Sequence, residues 1–69
     1  YKEFELLCYL MDNAGIALSR GQILNNVWDY DYFGDERTVD THVKTLRNKM
    51  GDAADYIRTV RGIGYKFEQ

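Results

Sequence analysis

The sequence predicts a mainly α domain with a small β hairpin, and three observations carry the prediction. Three stretches repeat apolar residues at helical spacing. Ser19 and Gln22 form a capping-box pair at the start of the middle stretch. The last dozen residues hold two short runs of β-formers around Gly62 and Gly64. Sixty-nine residues make one domain at most, and a chain of this size buries only about 60% of the surface its unfolded form exposes. Its hydrophobic and charged fractions, 45% and 29%, are those of a globular chain and not a disordered one. The one cysteine, Cys8, has no partner for an internal disulfide, which fits a reducing compartment. No run approaches the roughly 20 apolar residues that span a membrane, and no signal-peptide pattern is present. A soluble cytoplasmic domain over residues 1–69 is the expectation.

The first stretch, KEFELLCYLMDNAG, reads as a helix ending near Gly15, a residue suited to the left-handed conformation that terminates helices. Phe4, Leu7, Cys8 and Met11 share one stripe of its wheel. Leu6 and Leu10 widen the arc to roughly 200°, more than a surface helix needs. No N-cap residue precedes Lys2. Together these features predict an N-terminally truncated chain, with an absent upstream element covering part of the helix, and they place Cys8 in the core. IALS at 16–19 is a short β-compatible run. In SRGQILNNVW a second helix buries Ile23, Leu24, Val27 and Trp28. After the loop DYDYFGDE comes RTVDTHVKTLRNKM, where Val39, Val43, Leu46 and Met50 fall within about 60° of one another on a third helix. Gly51 closes it. A polar connection leads to YIRTVRGIGYKF, a hairpin in which glycine supplies positive φ. Helix, short strand, helix, helix and hairpin is the order of a winged helix-turn-helix, three helices plus a C-terminal wing.

The net charge of -2 conceals an asymmetry. Residues 1–36 hold two cations and seven acids, whereas residues 37–69 hold seven cations and four acids. A basic patch on an otherwise acidic domain is the implication. Thr41, Lys44, Thr45 and Asn48 lie opposite the core stripe of the third helix, with His42 and Lys49 on one flank and Arg47 on the other. Groove recognition needs such short polar or long cationic side chains opposite the core. The bland alternative is a solvated face with an Asp40–Lys44 pair at i,i+4 spacing. Arg37 and Thr38 start the helix, where backbone N–H groups favour a phosphate. Thr38 also suits an N-cap, and His42 could touch a phosphate from the flank. Arg61 at the hairpin tip is the candidate for insertion into a narrow minor groove.

Other chemistries fit poorly. Counted from Asp29, the loop places Phe33 and Asp40 where a calcium loop needs an oxygen ligand and a glutamate. His42 has no nearby Cys or His with which to hold zinc. No nucleophile–base pair can be proposed from one His and one Cys, so no enzyme and no cofactor are expected. A winged helix used only for protein contacts, its basic face docking an acidic partner, is the alternative function.

The stretches KEFELL, SRGQILNNVW, YDYFGDERTVDTHVKTLRNKM and IRTVRGIGYKF, in that order, resemble the DNA-binding effector domain of the OmpR/PhoB family of bacterial response regulators. The resemblance implies sequence-specific double-stranded DNA binding in transcription control, under a phosphorylated receiver domain and its histidine kinase. It also implies dimers on tandem direct-repeat half-sites. The family's domain opens with a four-stranded sheet, which this chain lacks. In similar proteins the position of Thr41 lies near a thymine methyl, and those of Lys44 and Thr45 reach phosphate or base. A basic residue often stands where Thr45 does, so the preferred sequence is expected to differ. Arg58, Thr59 and Tyr65 are implied as backbone contacts, with sheet packing the alternative for Tyr65. Trp28 matches a position that packs and offers its indole N–H to a phosphate. The loop of Asp29, Tyr30, Asp31, Tyr32, Phe33, Gly34, Asp35 and Glu36 is implied to contact RNA polymerase.

Overall fold

A computed structural model describes residues 2–28 and 36–68. The elements are helix α1 (Lys2–Asp12), strand β1 (Leu18–Ser19), helix α2 (Arg20–Val27), helix α3 (Arg37–Met50), a 3-10 helix (Gly51–Tyr56), and strands β2 (Ile57–Val60) and β3 (Gly64–Phe67). This is the three-helix, C-terminal-hairpin order expected. The capping box at α2 forms in full. Ser19 Oγ accepts the Gln22 N–H at 3.0 Å while Gln22 Oε1 accepts the Ser19 N–H at 2.9 Å. Two otherwise orphaned donors are thereby satisfied. Gly51, at φ +58, ends α3. The 3-10 helix occupies what the sequence presented only as a polar connection.

The wing is more than a hairpin. β1 pairs antiparallel with β3 (Leu18 opposite Tyr65, Ser19 opposite Gly64), which gives a three-stranded sheet in the order β1-β3-β2. The tip at residues 61–63 is closed by the Ile63 N–H donating to Val60 at 3.0 Å, with Gly62 at φ +80. Positive φ at that turn position favours glycine.

Leu6 and Leu10 of α1, Ile23 and Val27 of α2, and Val39, Val43 and Leu46 of α3 meet Leu18, Trp28, Ile57, Tyr65 and Phe67 in one core. Two expectations for α1 need correction. Phe4 and Met11, two of the four residues of its expected apolar stripe, are 67% and 49% exposed, and Leu6 and Leu10, expected to widen that stripe, are fully buried. The Leu6–Leu10 direction lies about 120° round the wheel from Phe4–Met11. The described elements cover that side of a broad apolar arc. Cys8, expected in the core, is only partly buried for the same reason. Thr38 is not the N-cap of α3. The cap position is Glu36, in helical conformation without a side-chain cap bond, and Thr38 is the second helical residue. Among the described residues no helix is long and apolar enough to cross a membrane.

Gly64 is where the wing meets α2. A Cβ built there would lie 2.2 Å from the Leu18 carbonyl oxygen and 3.1 Å from the Arg20 nitrogen, whereas one at Gly62 would meet nothing within 4 Å. Gly64→Ala should therefore force β1 and β3 apart and cost about 2–3 kcal/mol, like other overpacking changes. Gly62→Ala should cost only the left-handed backbone penalty, about 1 kcal/mol. Urea denaturation of the two variants checks the order.

Candidate nucleic-acid interface

Residues on the outward face of α3 and at the wing tip differ in how far the fold has already engaged them. Lys44 and Asn48 are exposed, and neither makes a hydrogen bond or ion pair among the described residues. The anticipated Asp40–Lys44 pair does not form. Arg20 Nη1 reaches Asp40 Oδ2 at 2.9 Å, and the Tyr65 hydroxyl donates to Asp40 Oδ1 at 2.5 Å. The Asp40 carboxylate is turned toward the base of the wing and away from Lys44. Thr41 and Thr45 lie on the same face. Arg61 is exposed at the tip of the wing, flanked by Gly62. Arg37 is exposed at the start of α3.

Other expected contacts turn inward. Arg47 spans from α3 to β2. Its Nε and Nη2 donate to the Ile57 carbonyl at 3.2 and 2.7 Å, Nη2 also meets Thr59 Oγ1 at 3.0 Å, and the guanidinium stacks 5.6 Å from the Tyr65 ring centre. Its donors hold helix to sheet, which also engages Thr59. Tyr65, implied as a wing contact, is a core residue at 8% exposure with its hydroxyl on Asp40, so the packing alternative is the one realised. His42 does not present itself to a phosphate. Its ring packs edge-on against Trp28 at 4.9 Å. Its Nδ1 lies 2.9 Å from the Thr38 carbonyl, which places a proton on Nδ1, and Nε2 lies 3.6 Å from Glu3. Lys49 also turns to Glu3, at 3.1 Å, and that hydrogen bond draws the Glu3 carboxyl below its usual range. Both side chains fasten α3 to α1. Trp28 is 7% exposed, which bears out its packing role. Arg58 stays exposed on β2 but pairs with Glu68 at 2.9 Å. Of the implied polymerase loop, 29–35 lie outside the described residues, and Glu36 is exposed with its carboxylate 4.0 Å from Arg20.

The residues that sequence reasoning missed are therefore Arg20, Asp40 and Glu3, acids and a base that orient α3 without facing outward. Their partners lie far along the chain, beyond the reach of any local pattern. Among the described residues no group of three or more His, Cys, Asp or Glu could hold a metal.

With this geometry in place, the family model described as "Transcriptional regulatory protein, C terminal" matches residues 1–67. The chain belongs to that family. Membership bears out the resemblance to OmpR/PhoB effector domains and makes DNA binding in transcription regulation the function of the domain. The chain is 54% identical over 70 residues to the sensory transduction protein RegX3 of Mycobacterium leprae, covering 97% of this chain and 35% of that protein. It is 52% identical over 71 residues to the transcriptional regulatory protein SrrA of Staphylococcus aureus, covering 97% and 30%. It thus spans about a third of the length of these curated relatives. The DNA-binding domain of Bacillus subtilis CssR matches with a TM-score of 0.86 at 42% identity, over 96% of this chain and 73% of that one. The DNA-binding domain of the response regulator AdeR, solved in complex with an intercistronic region, matches with a TM-score of 0.86 at 28% identity, over 99% and 69%.

Burial, and then the hydrogen bond to Asp40, push the Tyr65 phenol up from 10.0 to about 12. Folding thus favours the neutral phenol. Its contribution is complete below pH 10 and is lost as pH rises through 12. Stability should fall by about 2 kcal/mol over that window, and Tyr65→Phe should flatten the fall. Denaturation midpoints from pH 9 to pH 12 check this, and an unchanged slope in the variant would assign the alkaline loss to other groups.

Proposed function

We infer that this domain grips duplex DNA with α3 in the major groove and the wing tip in the adjoining minor groove. The observation that carries the reading is the diversion of Asp40 to Arg20 and Tyr65. It strips the outward face of α3 of its only acid and leaves Lys44, beside Thr41, Thr45 and Asn48, without an acceptor among the described residues. Long cationic and short polar side chains on an exposed helix face are what base edges and phosphates select. Arg61, exposed beside Gly62, suits a narrow minor groove. Arg37 and Thr38 at the helix start, and Arg58 and Thr59 on β2, add phosphate contacts at the margins, Arg58 by exchanging Glu68 for a phosphate. His42, Arg47, Lys49 and Tyr65 contribute by holding α3 in its orientation.

In the intact protein this domain is the output of a phosphorylation-controlled response regulator in the cytoplasm. A receiver domain addressed by a histidine kinase governs whether two copies pair on tandem direct-repeat half-sites, and the loop from Asp29 to Glu36 meets RNA polymerase. The similarity to RegX3 and SrrA supports this reading. One small module buries a modest interface, so a single half-site binds weakly and tandem half-sites bind tightly.

Fluorescence anisotropy with a pool of random duplexes, titrated across salt, tests the surface. Lys44→Gln combined with Arg61→Gln should weaken binding to all duplexes and make the slope of log K against log salt shallower by about 1–2. Folded variants that bind with the wild-type slope would remove α3 and the wing as the DNA surface and favour a protein-contact role for the basic face.

A further inference from the structure

The two threonines on the outward face of α3 are in the same chemical state. Thr41 Oγ1 donates to the Arg37 carbonyl at 3.2 Å, and Thr45 Oγ1 donates to the Thr41 carbonyl at 3.2 Å. A hydroxyl has one proton to give, and here both protons are committed to the helix's own backbone. With Oγ1 turned to the preceding turn, the γ-methyl takes another staggered position. What the pair offers a partner is therefore two methyl groups and the hydroxyl lone pairs. Neither can donate to guanine O6 or N7, or to adenine N7, without giving up its backbone bond.

We propose that Thr45 is a specificity-determining residue that reads a thymine through its methyl group, acting with Thr41 as a reader of two thymines. In the major groove thymine is the base that presents an apolar group, its C5-methyl, and a threonine methyl packs against it. Four helical residues rise about 6 Å, and Thr41 and Thr45 lie one turn apart on one face. Stacked bases are spaced by 3.4 Å, so the two methyls match thymines one or two base pairs apart. Lys44 stands between the threonines, its ammonium without an acceptor among the described residues, and supplies the charge. A cation at position 45 would read guanine or phosphate; Thr45 changes the chemical class of the group that is read. The inference rests on the DNA-binding reading above and narrows it to a base and an atom.

The experiment begins by selecting duplexes from a random pool with the full chain, then replaces each thymine of the selected site in turn by deoxyuridine, which lacks only the C5-methyl. Two single replacements should each weaken binding about three- to fivefold, the effect of exposing one buried methyl. Thr45→Val, which keeps a methyl, should retain the preference for thymine over uracil at both positions. Thr45→Ser, which keeps only the hydroxyl, should lose it at one position and bind thymine and uracil equally there. A site bound selectively but indifferent to every uracil replacement would overturn the inference and leave DNA binding standing. So would a Thr45→Ser variant that keeps the wild-type preference for thymine over uracil at both positions, because the threonine methyl would then not be the group that reads it. Failure to bind any duplex would sink the inference together with the DNA-binding reading.

Discussion

One carboxylate, that of Asp40, holds the functional half of the molecule together. It projects from α3, accepts Arg20 from the start of α2 and accepts the Tyr65 hydroxyl from the central strand of the sheet. The two helices of the helix-turn-helix and the wing thus share one hinge point. The pairing also raises the proton affinity of Arg20, whose guanidinium is held above its usual range by the hydrogen bond to Asp40. Arg47, nearly two turns further along α3, repeats the connection with its bonds to Ile57 and Thr59. The angle between α3 and the wing is consequently set by charged hydrogen bonds, which are directional. The apolar core beneath supplies cohesion without that precision.

Charge is arranged in three roles. Glu3 gathers Lys49 and His42 on the α1 side and anchors α3 from behind. Asp40 removes its own charge from the outward face. Lys44 and Arg61 have no ion-pair partner among the described residues. An overall charge of -2 is compatible with binding a polyanion because acids and bases are sorted by position and not merely counted. Two of the four Lys and Arg side chains of the RTVDTHVKTLRNKM helix, Arg47 and Lys49, are engaged within the fold.

The fold was largely legible because its signals are local. The capping box, the narrow stripe of Val39, Val43 and Leu46, and the glycines at 51 and 62 each act within one turn or one hairpin. GDAADY was not legible, since it has no apolar period to betray a 3-10 helix. The arc on α1 was seen, but a broad apolar arc does not say which part is covered, and Leu6 and Leu10 took the place assigned to Phe4 and Met11. Legibility of the candidate site was partial. The outward position of Thr41, Lys44, Thr45 and Asn48 follows from the wheel alone. The inward turn of Arg47, Tyr65 and Lys49 depends on partners 10, 25 and 46 positions away, and no residue pattern announces such pairs.

The place of β3 in the sheet has a consequence for how the molecule is made. It lies between β1 and β2, so residues 64–67 complete contacts begun by residues 18 and 19. On a growing chain α1, α2 and α3 can all be synthesised before that strand exists. Helical hydrogen bonds close locally and early, whereas pairing across some 45 residues must await loop closure. The bond from the Tyr65 hydroxyl to Asp40 of α3 can therefore close only after that helix and β3 are both present.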